Sequence, residues 1–121
     1  MNLEIFRNYC LQKTGVSEEF PFDRDTLVFK VMGKIFALTD VVLFESVNLK
    51  CDPEKAVELR ERYSCVLPGY HMNKRHWNTV VLDGSVPDSL IFSWLDDSYN
   101  LVVENLPKRS RKALKSEMKE R

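Results

Sequence analysis

The stretch from Leu27 to Thr39 constrains the fold most: two runs rich in Val, Phe, Leu and Ile, Leu27–Met32 and Lys34–Thr39, flank a lone Gly33. Such a pattern reads as two antiparallel strands joined by a tight glycine turn. A hairpin of this kind argues against an all-parallel sheet. Ser46–Cys51 is a further strand, with Val47 and Leu49 alternating against Asn48 and Lys50, so one of its faces is expected to be buried. Trp77–Leu82 is another, closed by Asp83-Gly84. Val66 and Leu67 start a strand that Pro68-Gly69 breaks into a turn before Tyr70. Val16–Asp25 carries Pro21 between two phenylalanines and reads as loop or edge structure, because proline cannot donate to a central ladder.

Three helices are expected around these strands. Leu3, Ile5, Phe6, Tyr9 and Cys10 fall at three- and four-residue spacings from Leu3 to Thr14, with Gly15 as the stop. Asp52-Pro53-Glu54 is a helix start: a capping carboxylate, proline in the first turn and an acid that complements the dipole. That helix should run to Tyr63 and bury Ala56, Val57, Leu59 or the Arg60 stem, and Tyr63. A third runs from Pro87 to Asn105 on Leu90, Ile91, Trp94, Leu95, Val102 and Leu106, and Pro107 stops it. This order gives an α+β domain, with a mainly antiparallel sheet and helices packed on one face.

The 121 residues suit one compact domain, 1–107, followed by a basic C-terminal tail, 108–121. At this size a hydrophobic core suffices without metal or disulfide staples. The odd, irregularly spaced Cys10, Cys51 and Cys65 point to reduced thiols and a cytoplasmic protein. No apolar run is long enough for a membrane span. The formal net charge is zero but unevenly placed: seven basic residues face two acidic ones from Lys108 to Arg121, leaving +5 on the tail and −5 on the body. A basic tail on an acidic body can attract a polyanion or serve only solubility.

The richest stretch is Pro68–Thr79, which gathers both histidines, two cations, two aromatics and two amides at a turn entering a strand. Read as an exposed surface, it lets Lys74 and Arg75 contact phosphates, Asn73 and Asn78 bond to phosphate or base edges, and Tyr70 or Trp77 stack on an unpaired base. Read as structure, Trp77 and Tyr70 anchor the loop in the core while the polar residues satisfy the turn. Cys65, His71 and His76 match no zinc spacing, so no metal is expected. Cys51 at a helix start is a weak nucleophile candidate, since small buried cysteines at strand ends are common. The four glycines are isolated, which excludes a phosphate-cradling loop, and the neighbouring pairs Glu18-Glu19 and Asp96-Asp97 read as solvated charge. No cofactor and no catalysis are expected.

Phe20-Pro21-Phe22, Leu27–Val31, Gly33–Leu38, Val47–Pro53, Pro68–Thr79, Asp83–Asp88, Asp97-Ser98-Tyr99 and Leu106-Pro107 extend over nearly the whole chain. On these blocks the chain resembles the MmcQ/YjbR family of small bacterial proteins. Asp23-Arg24 stands where that family turns through glycine, and Ile35 where it has methionine. The resemblance implies a CyaY-like, double-wing type α+β fold and a non-enzymatic DNA-binding role. Frataxin-like relatives of that fold bind iron through an acidic first helix, whereas here Glu4 stands beside Arg7 and Lys13. The expected binding residues are Tyr70, His71, Asn73, Lys74, Arg75, His76, Trp77 and Asn78, with Lys108, Arg109, Arg111 and Lys112 of the tail. The alternative is a protein-interaction adaptor or a domain for a small anionic ligand, and a monomer or weak dimer is expected in either case.

Overall fold

The structure, a computed structural model, describes residues 1–70 and 72–120. They form α1 (Leu3–Leu11), β1 (Val16–Glu19), β2 (Thr26–Val31), β3 (Lys34–Asp40), β4 (Ser46–Lys50), α2 (Pro53–Arg62), β5 (Val66–Pro68), β6 (Trp77–Val81), α3 (Asp88–Glu104) and α4 (Lys108–Glu120). The strands make one sheet in the order β1-β2-β3-β4-β6-β5, every neighbouring pair antiparallel. The hairpin is as expected: Met32 (φ 49°) and Gly33 (φ 83°) both take positive φ, the two-residue turn whose twist matches its strands. The register shifts between Phe29 and Lys30, whose partners are Ala37 and Ile35. Phe36 is the extra residue of this bulge, and it turns into the core edge-on to Tyr99, with ring centroids 5.4 Å apart.

The two sheet faces differ. On one, Phe29, Val31, Ala37, Val47, Leu49 and Val80 meet Phe6 and Cys10 of α1, Leu59 of α2, Leu95 and Val102 of α3 and Leu114 of α4 in a single core. On the other, Val28, Leu38 and Trp77 form a small separate cluster, flanked by Ile35 and Met72. Helices therefore cover one face, as the element order predicts. Asn2 caps α1, its Oδ1 accepting from Ile5 N at 2.8 Å, and Asp52 caps α2, accepting from Glu54 N at 3.1 Å. Ser98, fully buried on α3, donates to the Phe36 carbonyl at 2.6 Å and accepts from Lys50 N at 2.9 Å, tying the helix to β3 and β4. Ser98→Ala strands a carbonyl and an amide at once. It should lower stability by about 2 kcal/mol in urea unfolding, the cost of buried polar groups losing a partner.

The Val16–Asp25 segment is edge structure followed by loop, as expected: Val16–Glu19 pairs with β2 at the margin of the sheet, and Pro21 lies beyond its end. Two sequence expectations change. Val57 is 47% exposed, so α2 buries Ala56 and Leu59 and turns Val57 outward. The basic segment after Pro107 is the helix α4, not a loose tail, and its Leu114 is 1% exposed. One buried leucine suffices to seat it against the domain.

Candidate functional site

The Pro68–Thr79 stretch is built as a turn on the end of β6. Tyr70 is 70% exposed, and its N–H donates to Thr79 Oγ1 at 3.0 Å, while that hydroxyl donates to Asn48 Oδ1 at 2.6 Å. Asn73 Oδ1 accepts from Arg75 N at 2.9 Å and the Asn73 carbonyl from His76 N at 3.2 Å, so this asparagine shapes the loop. Lys74 and Arg75 are exposed at its tip, and Arg75 lies in a shallow hollow with Glu54 and Arg60 of α2. His76 is half-buried, and its carbonyl accepts from Cys51 N at 2.7 Å. His71 lies outside the described residues.

Trp77 and Asn78 do not belong to an exposed surface. Trp77 is 8% exposed in the small cluster of the helix-free face, and Asn78 is 2% exposed toward the helices, where Nδ2 donates to the Ala56 carbonyl at 3.3 Å. The physical reason is the period of the strand: consecutive residues face opposite sides of a sheet that is covered on both at this point. Neither side chain is open to a base in this fold. Cys65, 1% exposed, lies in the helix-side core, and among the described residues no three His, Cys, Asp or Glu side chains converge as metal ligands.

The cations gather at one end of the sheet. Register places Val16, Val31, Lys34, Lys50 and Trp77 together there, so the β2–β3 turn and the β5–β6 loop share that end. Leu114 seats α4 at its β1–β2 corner, its Cδ1 only 2.5 Å from where a Cβ on Gly15 would stand, near Met32. Lys108, Arg109, Arg111 and Lys112 are all exposed on this helix. The opposite end holds Asp23, Asp25, Glu45 and Asp83 in its loops and Asp40 at the end of β3, with Arg24 among them, so acidic groups predominate there. Three strand spacings, about 14 Å, separate β2 at the α4 corner from β6, which the Lys74 and Arg75 loop enters.

A second feature occupies the helix-free face. Phe22, 65% exposed, and Tyr70 flank a groove of about 480 Å³ whose floor includes Leu38, Asn48 and Met72. Asp23 and Asp40 stand at its acidic rim. Asp23 accepts from Asp25 N, Thr26 N and Thr26 Oγ1, and these bonds hold its carboxyl below the usual carboxylate range. Sequence reasoning found Tyr70 but missed Phe22, Asn48 and Met72 as groove residues. The one available signal was an aromatic pair around Pro21 in a segment that has no core to enter.

Cys51 is half-buried where β4 meets α2, and burial, helped by the Asp52 and Asp97 carboxylates, pushes its thiol up to about 11. The thiolate is the reactive form. Alkylation of Cys51 by iodoacetamide should therefore be slow at pH 7 and rise about tenfold per pH unit up to pH 10. Peptide mass spectrometry across that range checks it, and a thiol that reacts fully at pH 7 would contradict the burial argument.

Comparison with known proteins agrees with this architecture. The YjbR family model matches residues 11–101. The chain is 40% identical over 115 residues to the uncharacterized protein YjbR of Escherichia coli K12, covering 94% of this chain and 98% of that one. It is 39% identical over 113 residues to the uncharacterized protein YbdF of Escherichia coli O157:H7, covering 93% of each. The crystal structure of Deinococcus radiodurans protein DR2400, a DUF419 domain, superposes with a TM-score of 0.88 at 42% identity, covering 93% of this chain and 87% of that one. Among the described residues no helix is long and apolar enough to cross a membrane. A family match that runs from the end of α1 into α3, with relatives aligned over nearly their whole lengths, means that this chain belongs to the YjbR family.

Proposed function

We propose that this domain acts by binding rather than catalysis, and that its partner is DNA, held along the basic end of the sheet. The observation that supports this reading is a gathering of cations: α4 presents Lys108, Arg109, Arg111 and Lys112 from a seated helix, Lys34, Lys74 and Arg75 lie at the same end, and the loops of the other end are mainly acidic. A polyanion approaching such a molecule is oriented by its field before contact, so a zero net charge does not prevent a basic face from engaging phosphates. Glu54 beside Arg75 offsets part of that charge, which makes α4 the dominant contributor.

Binding to a phosphate backbone releases counterions, and the logarithm of affinity falls with the logarithm of salt in proportion to the contacts made. Replacing Lys108, Arg109, Arg111 and Lys112 together by alanine should reduce that slope by about 3 to 4, against about 2 or less for Lys74→Ala with Arg75→Ala. Fluorescence anisotropy on duplex and single-stranded oligonucleotides over a salt series measures both. Substitution is the correct perturbation, because cutting the chain after Pro107 would also remove Leu114 from the core. Equal, negligible affinity of wild type and both variants at low salt would overturn the reading.

The groove beside Phe22 and Tyr70 favours a second reading, a docking face for a protein or small ligand. Its acidic rim suits a neutral or cationic group better than the anion anticipated from the sequence. Phe22→Ala and Tyr70→Ala would weaken such a partner and leave the salt-dependent DNA slope unchanged.

A further inference from the structure

Asn78 has an unusual situation. It is 2% exposed, and its Nδ2 is committed to the Ala56 carbonyl, which requires a donor and so fixes which end of the amide points there. The remaining atom, Oδ1, is fully buried and has no hydrogen-bond partner. An unpaired buried acceptor costs free energy that a native structure rarely carries without a reason. Asn78 also lines a cavity between α2, α3 and the sheet, walled by Leu49, Leu59, Val66 and Trp94. Its volume is about 20 Å³, room for one water-sized group.

This cavity is not sealed. Lys50, Cys51 and Asp97 line both it and an outer cleft of about 500 Å³, to which Asp52, Lys55 and Glu104 add charge. The combination is a small, mainly apolar chamber with Asn78 in its wall, Lys50, Cys51 and Asp97 where it meets the cleft, and a wide polar mouth. We propose that this is a binding site for a small neutral molecule that carries a hydroxyl or N–H on a slim apolar body, the donor seated on Asn78 Oδ1 and the body passing Cys51 into the cleft. A carboxylate or phosphate would be repelled by the lone acceptor. An ammonium seated on Asn78 would exchange its hydration for one neutral acceptor, with Asp97 balanced by Lys50 where the chamber meets the cleft, which is unfavourable. The site lies on the helix side of the sheet, away from the groove at Phe22 and Tyr70, and does not depend on the DNA reading.

The test uses two isomers of the same size, 1-butanol and methyl propyl ether, of which only the first can donate. Each is titrated into the full chain while the side-chain amide of Asn78 and the two indole N–H signals are followed by NMR. Trp94 lines the cavity and Trp77 belongs to the opposite face, so Trp94 should shift and Trp77 should not. The alcohol should bind about tenfold more tightly than the ether, the difference one hydrogen bond makes. Asn78→Leu fills the acceptor's place and should abolish the effect. Cys51→Leu narrows the mouth without touching β6 and should weaken binding even if the first variant folds poorly. Equal affinity for both isomers overturns the proposal, as does an unmoved Trp94 with a long-lived water signal at Asn78, which would make the cavity a water site only.

Discussion

Leu114→Ala should destabilise the domain by about 3 kcal/mol and lower the melting temperature by about 10 °C, in line with large-to-small changes at fully buried positions in chains of this size. Leu114 is 1% exposed and is the one α4 residue within the main core, while Met118 on the same helix is 44% exposed. Removing the anchor leaves a helix of mostly charged residues with nothing to hold it, and a segment of this length is marginal by itself in water. Amide exchange across α4 should therefore accelerate far more than exchange in β3 or β4. Leu114→Met conserves volume and should cost less than about 1.5 kcal/mol. A truncation and a leucine substitution giving the same loss of stability would show that the basic side chains themselves contribute little to folding.

Gly69→Ala should be nearly as severe, about 3 kcal/mol, for a different reason. A Cβ at this position would stand 2.7 Å from Trp77 Cβ and 2.9 Å from the Trp77 carbonyl oxygen, which itself accepts from Gly69 N at 2.8 Å. The clash is with backbone, so no rotamer change relieves it. Relief requires β5 to move off β6, adding a lost hydrogen bond to the overpacking cost. Chemical denaturation measures the loss, and displacement of the Trp77 indole signal with an unmoved Trp94 would localise it to this strand pair. A variant as stable as wild type would mean that the loop before Tyr70 yields freely.

Local chemistry wrote the framework into the sequence. Gly33 between two β-rich runs, Asp52-Pro53 before an amphipathic stretch and Pro107 after one each specify a backbone event within a few residues, and each occurs where expected. The candidate site was less legible because it depends on long-range placement. Whether Asn78 or Trp77 faces the helices is set by register against Leu49 and Lys50 on β4. Asn78 looks like a surface residue because nothing nearby in sequence reveals the second layer above it. α4 was hidden by composition: with Leu114 and Met118 as its large apolar residues among eight cations and acids, no stripe announces a packed helix. Val57 is apolar beside the buried Ala56, but α2 turns it outward, 47% exposed, and buries Ala56 and Leu59.

The two margins of the sheet set a limit on how copies of this protein can meet. β1 is four residues long, and its two glutamates are engaged, Glu18 with Arg7 and Glu19 with Lys30. β5 is three residues long and ends in Pro68, which has no amide hydrogen to offer. Short, charged or proline-terminated margins give an incoming strand little to pair with. Edge-to-edge growth into fibrils is thereby discouraged without a covering loop. A partner that binds by adding a strand would find only a short template at either margin, which favours the faces and ends of the sheet for recognition.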